Sequence, residues 1–167
     1  LCFTLNIYAQ DVIKYNDPSI PAEERIDDLL GRMTLEEKLQ MINGNTYFVY
    51  GIERLGIPAL NITDGPAGIS AGHATAFPAP VALAASWDTT LVRRVGAAIA
   101  DEAIAKGKNM VYAPNLNLFR NPLAGRNFES FGEDPYLAAR MAVSFVMGVQ
   151  SRDVIAAARY FAVNTQE

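Results

Sequence analysis

Residues 88–113 read DTTLVRRVGAAIADEAIAKGKNMVYA, and within them the periodicity changes. Asp88 offers a side-chain oxygen to the unpaired N–H groups of a first helical turn. Leu91, Val95, Ala98 and Ile99 recur at helical spacing, and Gly107 ends the helix. Met110–Ala113 then runs apolar without alternation, as a strand buried on both faces does. The same pattern repeats downstream. Asp134 and Pro135 are the N-cap and first residue of a helix to about Gly148, and Val154–Ala158 is the next apolar run. Upstream, Ile57–Thr63 reads as a strand ending at Asp64-Gly65-Pro66-Ala67-Gly68, and Val81–Ala85 as a second strand. Two short helices lead the chain. One covers 22–30 behind Pro18 and Pro21; the other starts at Thr34, with Glu37 completing a capping box, and stops at Gly44.

Apolar strands alternating with helices predict a parallel sheet covered on both faces. Asp64, Arg126, and Arg159 with Tyr160 fall just past the C-terminal ends of three strands. Ligands bind at that edge in doubly wound sheets and in (β/α)8 barrels alike. No Gly-x-Gly-x-x-Gly follows a strand, which disfavours a dinucleotide fold. A barrel has eight strands in about 250 residues. The expected fold is α/β, the N-terminal half of a (β/α)8 TIM-type barrel, incomplete in this chain.

The loop Gly125-Arg126-Asn127-Phe128-Glu129-Ser130-Phe131-Gly132-Glu133-Asp134-Pro135 sets one cation and three carboxylates among two glycines. Phe128 and Phe131 are expected to pin it to the core. Arg126 and one or two carboxylates would then face a cleft suited to a neutral, hydroxyl-rich ligand. The other reading is a structural Arg–Glu pair holding the loop, and the run alone leaves both open. Glu133 and Asp134 read as structural. His73, the only histidine, sits in a Gly-rich loop and reads as solvated.

Half of the 167 residues are apolar, 19% are charged, and the net charge is −4. No basic patch argues for nucleic acid and no long apolar stretch for a membrane span. Leu1–Gln10 is mostly apolar and closes on Ile7-Tyr8-Ala9, like the tail of a secretory signal peptide cut after Ala9. An ordinary N-terminal strand is the alternative. Under the first reading the protein is secreted or periplasmic, residues 1–9 are a leader remnant and 10–167 a partial barrel domain. Cys2, the only cysteine, would lie in the remnant, with lipid attachment there left open.

Several motifs in order resemble the N-terminal part of glycoside hydrolase family 3, the β-glucosidase and β-xylosidase type. They are Arg32-Met33-Thr34-Leu35-Glu36-Glu37-Lys38, Asp64-Gly65-Pro66-Ala67-Gly68, Thr75-Ala76-Phe77-Pro78, Ala85-Ser86-Trp87-Asp88, and Ala113-Pro114-Asn115-Leu116-Asn117 leading into the 125–135 loop. The last, Arg159-Tyr160-Phe161-Ala162-Val163-Asn164-Thr165-Gln166-Glu167, is similar to the family's Lys-His-Phe-x-x-Asn-x-Gln-Glu. The resemblance covers about 15–167. It departs where Arg159-Tyr160 stands for Lys-His, an arginine fork for a point donor.

The resemblance implies a retaining, exo-acting β-glycosidase of the β-glucosidase kind, releasing the non-reducing-end sugar of a β-linked oligosaccharide or glycoside. It implies that Asp64 accepts hydrogen bonds from sugar hydroxyls and that Arg126 donates to one. Glu129 either touches the sugar or orients the neighbouring cations, while Arg159 and Tyr160 grip the reactive-subsite sugar. The histidine-bearing branch that acts on N-acetylglucosamine does not fit Asn164-Thr165-Gln166-Glu167. The family's nucleophile and acid/base lie beyond Glu167, so no catalytic residue is expected in the chain. The rest of the barrel and a second domain are needed. No cofactor or metal is implied. Two alternatives stay open: a non-catalytic carbohydrate-binding or degenerate member, and a half-barrel that associates through its open edges.

Overall fold

The computed structural model describes residues 12–160 and 164–165. The leader-like segment with Cys2, and Phe161–Val163, Gln166 and Glu167 of the last motif, lie outside them. The chain divides into two units after Asn43.

The first unit carries α1 (Ala22–Arg32) and α2 (Leu35–Ile42). Glu23 and Glu24 in the first turn of α1 and Arg32 in its last complement the helix dipole. Asp28 ties the preceding segment to this helix. Its Oδ2 accepts the N–H of Lys14 at 2.8 Å and of Tyr15 at 3.1 Å, and its Oδ1 accepts Arg32 Nε at 3.0 Å. The Arg32 hydrogen bond, and behind it the two backbone N–H groups, hold the Asp28 carboxyl below its ordinary range against the effect of burial. The capping box forms as expected. Glu37 N–H donates to Thr34 Oγ1 at 3.2 Å and Thr34 N–H to Glu37 Oε2 at 2.8 Å.

The second unit holds β1 (Phe48–Val49), β2 (Leu60–Asp64), α3 (Pro80–Ala85), α4 (Thr89–Ala105), β3 (Met110–Tyr112), α5 (Pro135–Gln150) and β4 (Ile155–Ala156). The sheet order is β1-β2-β3-β4. β1 runs antiparallel to β2, with Phe48 opposite Asn61. β2, β3 and β4 are parallel, with Thr63 opposite Val111 and Val111 opposite Ala156. Neighbours follow chain order, as barrel strands do. Three parallel strands are present among the described residues, against eight in a closed barrel.

One expected strand is a helix. Val81–Ala85 lies within α3, where Pro80 occupies the first turn and Pro80, Leu83 and Ala84 bury one face at spacings of three and four. A short run of alanine, valine and leucine carries no period long enough to separate helix from strand, and Pro80 starts a helix well. The fourth strand is instead the two-residue β1, ahead of β2. Asp88 and Asp134 cap as read: Asp88 Oδ1 accepts Thr90 N–H at 2.8 Å, and Asp134 Oδ1 accepts Leu137 N–H at 2.7 Å.

The core lies between the sheet and the pair α4 and α5, with Ile99, Val111, Met141, Phe145 and Val149 at 1% exposure or less. Two glycines allow the helices to meet. A Cβ on Gly148 would fall 2.1 Å from the Arg93 carbonyl oxygen, and one on Gly96 would fall 2.6 Å from that of Phe145. Phe131 is buried in this core at 2% exposure, but Phe128 is 51% exposed and pins nothing. Residues 127–129 form a 3-10 turn that turns Phe128 outward before the chain extends at Ser130.

An apolar groove of about 500 Å³ runs along the other side of α5, lined by residues including Leu116, Leu118, Ala142, Val146, Met147 and Ala158. No helix among the described residues is long and apolar enough to cross a membrane.

Gly148→Ala is expected to force α4 and α5 apart and to destabilise by about 1–3 kcal/mol in chemical denaturation. Gly31→Ala in α1 meets nothing within 4 Å and has ordinary helical geometry, so it should stabilise by about 0.5–1 kcal/mol. Equal effects at the two positions would contradict the close-approach account.

Candidate functional site

Asp64 ends β2 with Tyr112 of β3 as its register partner. Tyr47, just ahead of β1, lies across the antiparallel pair and donates its hydroxyl to Asp64 Oδ2 at 2.7 Å. The Tyr47 and Tyr112 rings sit 6.3 Å apart, and Tyr112 donates its own hydroxyl to the Thr46 carbonyl at 2.8 Å. Arg159 arrives from beyond β4. Its backbone N–H donates to the Pro114 carbonyl at 3.0 Å and its carbonyl accepts the Leu116 N–H, so the loop after β3 is stitched to the loop after β4. Asn115 forms backbone bridges with both Ser130 and Arg159, which draws the 125–135 loop to the same edge. The Ala113–Pro114 and Arg159–Tyr160 peptide bonds are cis.

The five residues expected at the site converge. Arg159 Nη1 lies 2.8 Å from Asp64 Oδ1, and its Nη2 lies 4.0 Å from Glu129 Oε2. Arg126 Nη1 lies 3.3 Å from Glu129 Oε1. The Arg159 guanidinium carbon is 5.6 Å from the centre of the Tyr160 ring and 5.7 Å from that of Tyr112. Arg126 and Tyr160 also line a small polar recess with Asn117, Asn127, Ser130 and Asn164. Glu133 is exposed, Asp134 is spent on its cap, and His73 is exposed with its carbonyl taken by Lys106.

Two cations thus face two carboxylates, a balance that suits a neutral polar ligand better than a charged one. The Asp64 carboxylate sits between the Tyr47 hydroxyl on Oδ2 and the Arg159 guanidinium on Oδ1. Asp64 Oδ1 has almost no exposed surface and is paired with the Arg159 guanidinium. A carboxylate offers several lone pairs and can accept from a ligand hydroxyl as well as from its protein partners. Among the described residues no three His, Cys, Asp or Glu side chains gather as a metal cluster.

Sequence reasoning missed Asn115, Tyr47 and Tyr112. Asn115 is 1% exposed and its amide joins the two halves of the cluster, donating to Glu129 Oε2 at 2.7 Å and accepting Arg159 Nε at 3.0 Å. The available signal was a polar residue directly after an apolar strand and a proline. Tyr47 carried no signal, because its place depends on a two-residue strand.

The hydrogen bond to Asp64, reinforced by that carboxylate's charge, raises the Tyr47 phenol above its ordinary value. A raised acid favours folding while protonated. The contribution is complete below the ordinary phenol range and is lost as pH climbs through the raised value. A difference titration at 295 nm between the protein and Tyr47→Phe should show a phenolate forming above the ordinary range, and Asp64→Asn should bring it down. An ordinary titration in the unsubstituted protein would mean that the Tyr47–Asp64 bond is not kept in solution.

The chain also matches known proteins over most of its length. Residues 21–166 match the Glycosyl hydrolase family 3 N terminal domain. The chain is 43% identical to the β-glucosidase BoGH3A of Bacteroides ovatus over 92% of its own length and 22% of that protein's. It is 41% identical to an exo-α-(1→6)-L-arabinopyranosidase of Bifidobacterium longum over 81% of this chain and 20% of that one. The structure of β-glucosidase 3B from Thermotoga neapolitana in complex with glucose superposes with a TM-score of 0.76 at 36% identity, covering 85% of this chain and 24% of that one. The chain therefore spans about a fifth to a quarter of the length of the relatives it matches. Motif order, an α/β fold with barrel-type strand order and this match over most of the sequence together establish that the chain belongs to glycosyl hydrolase family 3, as part of its N-terminal, TIM-barrel-type domain.

Proposed function

We propose that this chain is the sugar-holding part of an exo-acting β-glycosidase of the β-glucosidase kind. One observation carries the reading. Asp64 stands at the C-terminal end of a parallel strand, its carboxylate held between the Tyr47 hydroxyl and the Arg159 guanidinium, with Glu129 and Arg126 beside it. A sugar with adjacent hydroxyls supplies donors to the Asp64 carboxylate and acceptors to Arg126, Arg159 and Tyr160. Glu129 orients the two arginines, since Arg126 and Asn115 already occupy its oxygens. Solved β-glucosidases of similar fold in complex with glucose support a monosaccharide at this edge. A relative of similar sequence is named for an arabinopyranose, a pentose, rather than for glucose, a hexose.

Hydrolysis with retention needs two carboxyls about 5–5.5 Å apart, one attacking the anomeric carbon and one protonating the leaving oxygen. In this reading neither belongs to the chain: both come from polypeptide beyond it, the rest of the barrel and a second domain. Asp64 and Glu129 each face a guanidinium and serve in binding. Export to the periplasm or the exterior is part of the proposal, on the leader-like Leu1–Ala9 alone.

The full-length protein should hydrolyse aryl β-glucosides. Asp64→Asn removes a charged acceptor worth about 1.5–3 kcal/mol, so kcat/KM should fall by roughly 10- to 150-fold. The isolated 1–167 chain should be inactive and should bind an apolar dye through the open groove on α5. Turnover by that isolated chain would refute the placement of the catalytic groups. The replacement of a point donor by Arg159 favours one second reading, a binding protein without catalysis. Glucose binding by the full-length protein without turnover of any aryl glycoside would select it.

A further inference from the structure

We propose that Asn115 is the positioning residue that makes an arginine usable at position 159. The proposal deepens the sugar-binding reading and rests on it for the purpose of the cluster, but its geometry is independent of any ligand. Asn115 is almost fully buried, so its amide must find partners within the protein. It finds one on each side. Its oxygen faces the cation, accepting Arg159 Nε, and its N–H faces the anion, donating to Glu129 Oε2. The amide is therefore polarised in the sense that both neighbours favour.

The consequence concerns what Arg159 would do without it. Arg159 Nη2 and Glu129 Oε2 are only 4.0 Å apart. A guanidinium and a carboxylate at that separation tend to close into a two-pronged fork. Such a fork would turn the guanidinium toward Glu129, withdraw Nη1 from Asp64, and take from Glu129 the oxygen that faces Arg126. With Nε held by Asn115, the plane of the guanidinium is set and Nη1 stays 2.8 Å from Asp64. A lysine at 159 would not need this help. Its ammonium is a single point donor with no Nε–H to anchor and no plane to orient. Losing the bond to Glu129 is common to both backgrounds, but the larger part of Asn115's effect should appear only while residue 159 is arginine, and this dependence separates positioning from general structural support. The backbone bridges from Asn115 to Ser130 and Arg159 do not involve the side chain, so truncating it leaves the loop's main-chain ties in place.

The test is a double-mutant cycle in the full-length protein, with Asn115→Ala, Arg159→Lys and the pair. The first readout needs no sugar. Tyr47 faces Asp64, Arg159 and Tyr112, and the positive charge of Arg159 lowers its phenol against the larger effect of Asp64. If Asn115→Ala lets the guanidinium swing to Glu129, the Tyr47 phenolate should form at higher pH than in the parent, and the substitution should cause no further shift once residue 159 is lysine. The second readout is glucose affinity with KM and kcat. Asn115→Ala should weaken glucose binding and raise KM by about tenfold more with arginine at 159 than with lysine, the scale of one hydrogen bond to a charged group. An unchanged Tyr47 titration, or equal losses in both backgrounds, would reduce Asn115 to a structural residue and overturn the proposal. A parent protein that neither binds glucose nor turns over a glycoside would instead sink the sugar reading, and the Tyr47 titration would still decide the role of Asn115.

Discussion

The pairing of β3 on both of its edges is the constraint on which the site depends. Val111 has no accessible surface and pairs with Thr63 on one side and Ala156 on the other. Asp64 ends the first of those flanking strands and Arg159 follows the second, far apart in the chain. They meet at 2.8 Å because β3 sets the spacing and direction of both neighbours. A parallel ladder fixes where each strand ends, and the side chains just past the ends share one edge.

Burial of β3 is in turn a matter of how closely the helices approach. Gly96 and Gly148 bring the backbones of α4 and α5 within reach of each other, which leaves no room for a methyl group at either contact. The helices can then cover the sheet as a tight pair, with Phe145 and Ile99 filling the space between them. The opposite side of α5 stays bare. Its groove of alanine, valine and methionine resembles an interior surface more than an outer one, a state in keeping with a barrel-type sheet of three parallel strands.

The charges of the cluster are arranged in alternation rather than in pairs. Asp64, Arg159, the Asn115 amide, Glu129 and Arg126 form a continuous run in which each cation lies next to an acceptor. Single exposed ion pairs contribute little to stability, and Arg126 with half its side chain in solvent is such a case. Asn115 differs because it is buried and satisfied at both ends, so it specifies geometry more than it adds energy. Balance of charge within the run accords with a neutral, hydroxyl-bearing ligand.

The sequence by itself determined the elements whose signals are local. The caps at Asp88 and Asp134, the capping box at Thr34 and Glu37, and the apolar runs of β2, β3 and β4 were legible because a few adjacent residues decide them. The five residues expected at the site, named partly from strand ends and mainly from the resemblance, lie near one another. Only the tertiary structure decided the rest. It made Val81–Ala85 a helix, since six residues hold too little periodicity to choose and burial against the core chose for them. It turned Phe128 outward while burying Phe131, because a single 3-10 turn sets their directions. It brought Tyr47 to Asp64 through a two-residue strand, and Asn115 between Arg159 and Glu129, because those contacts join segments that no local pattern connects.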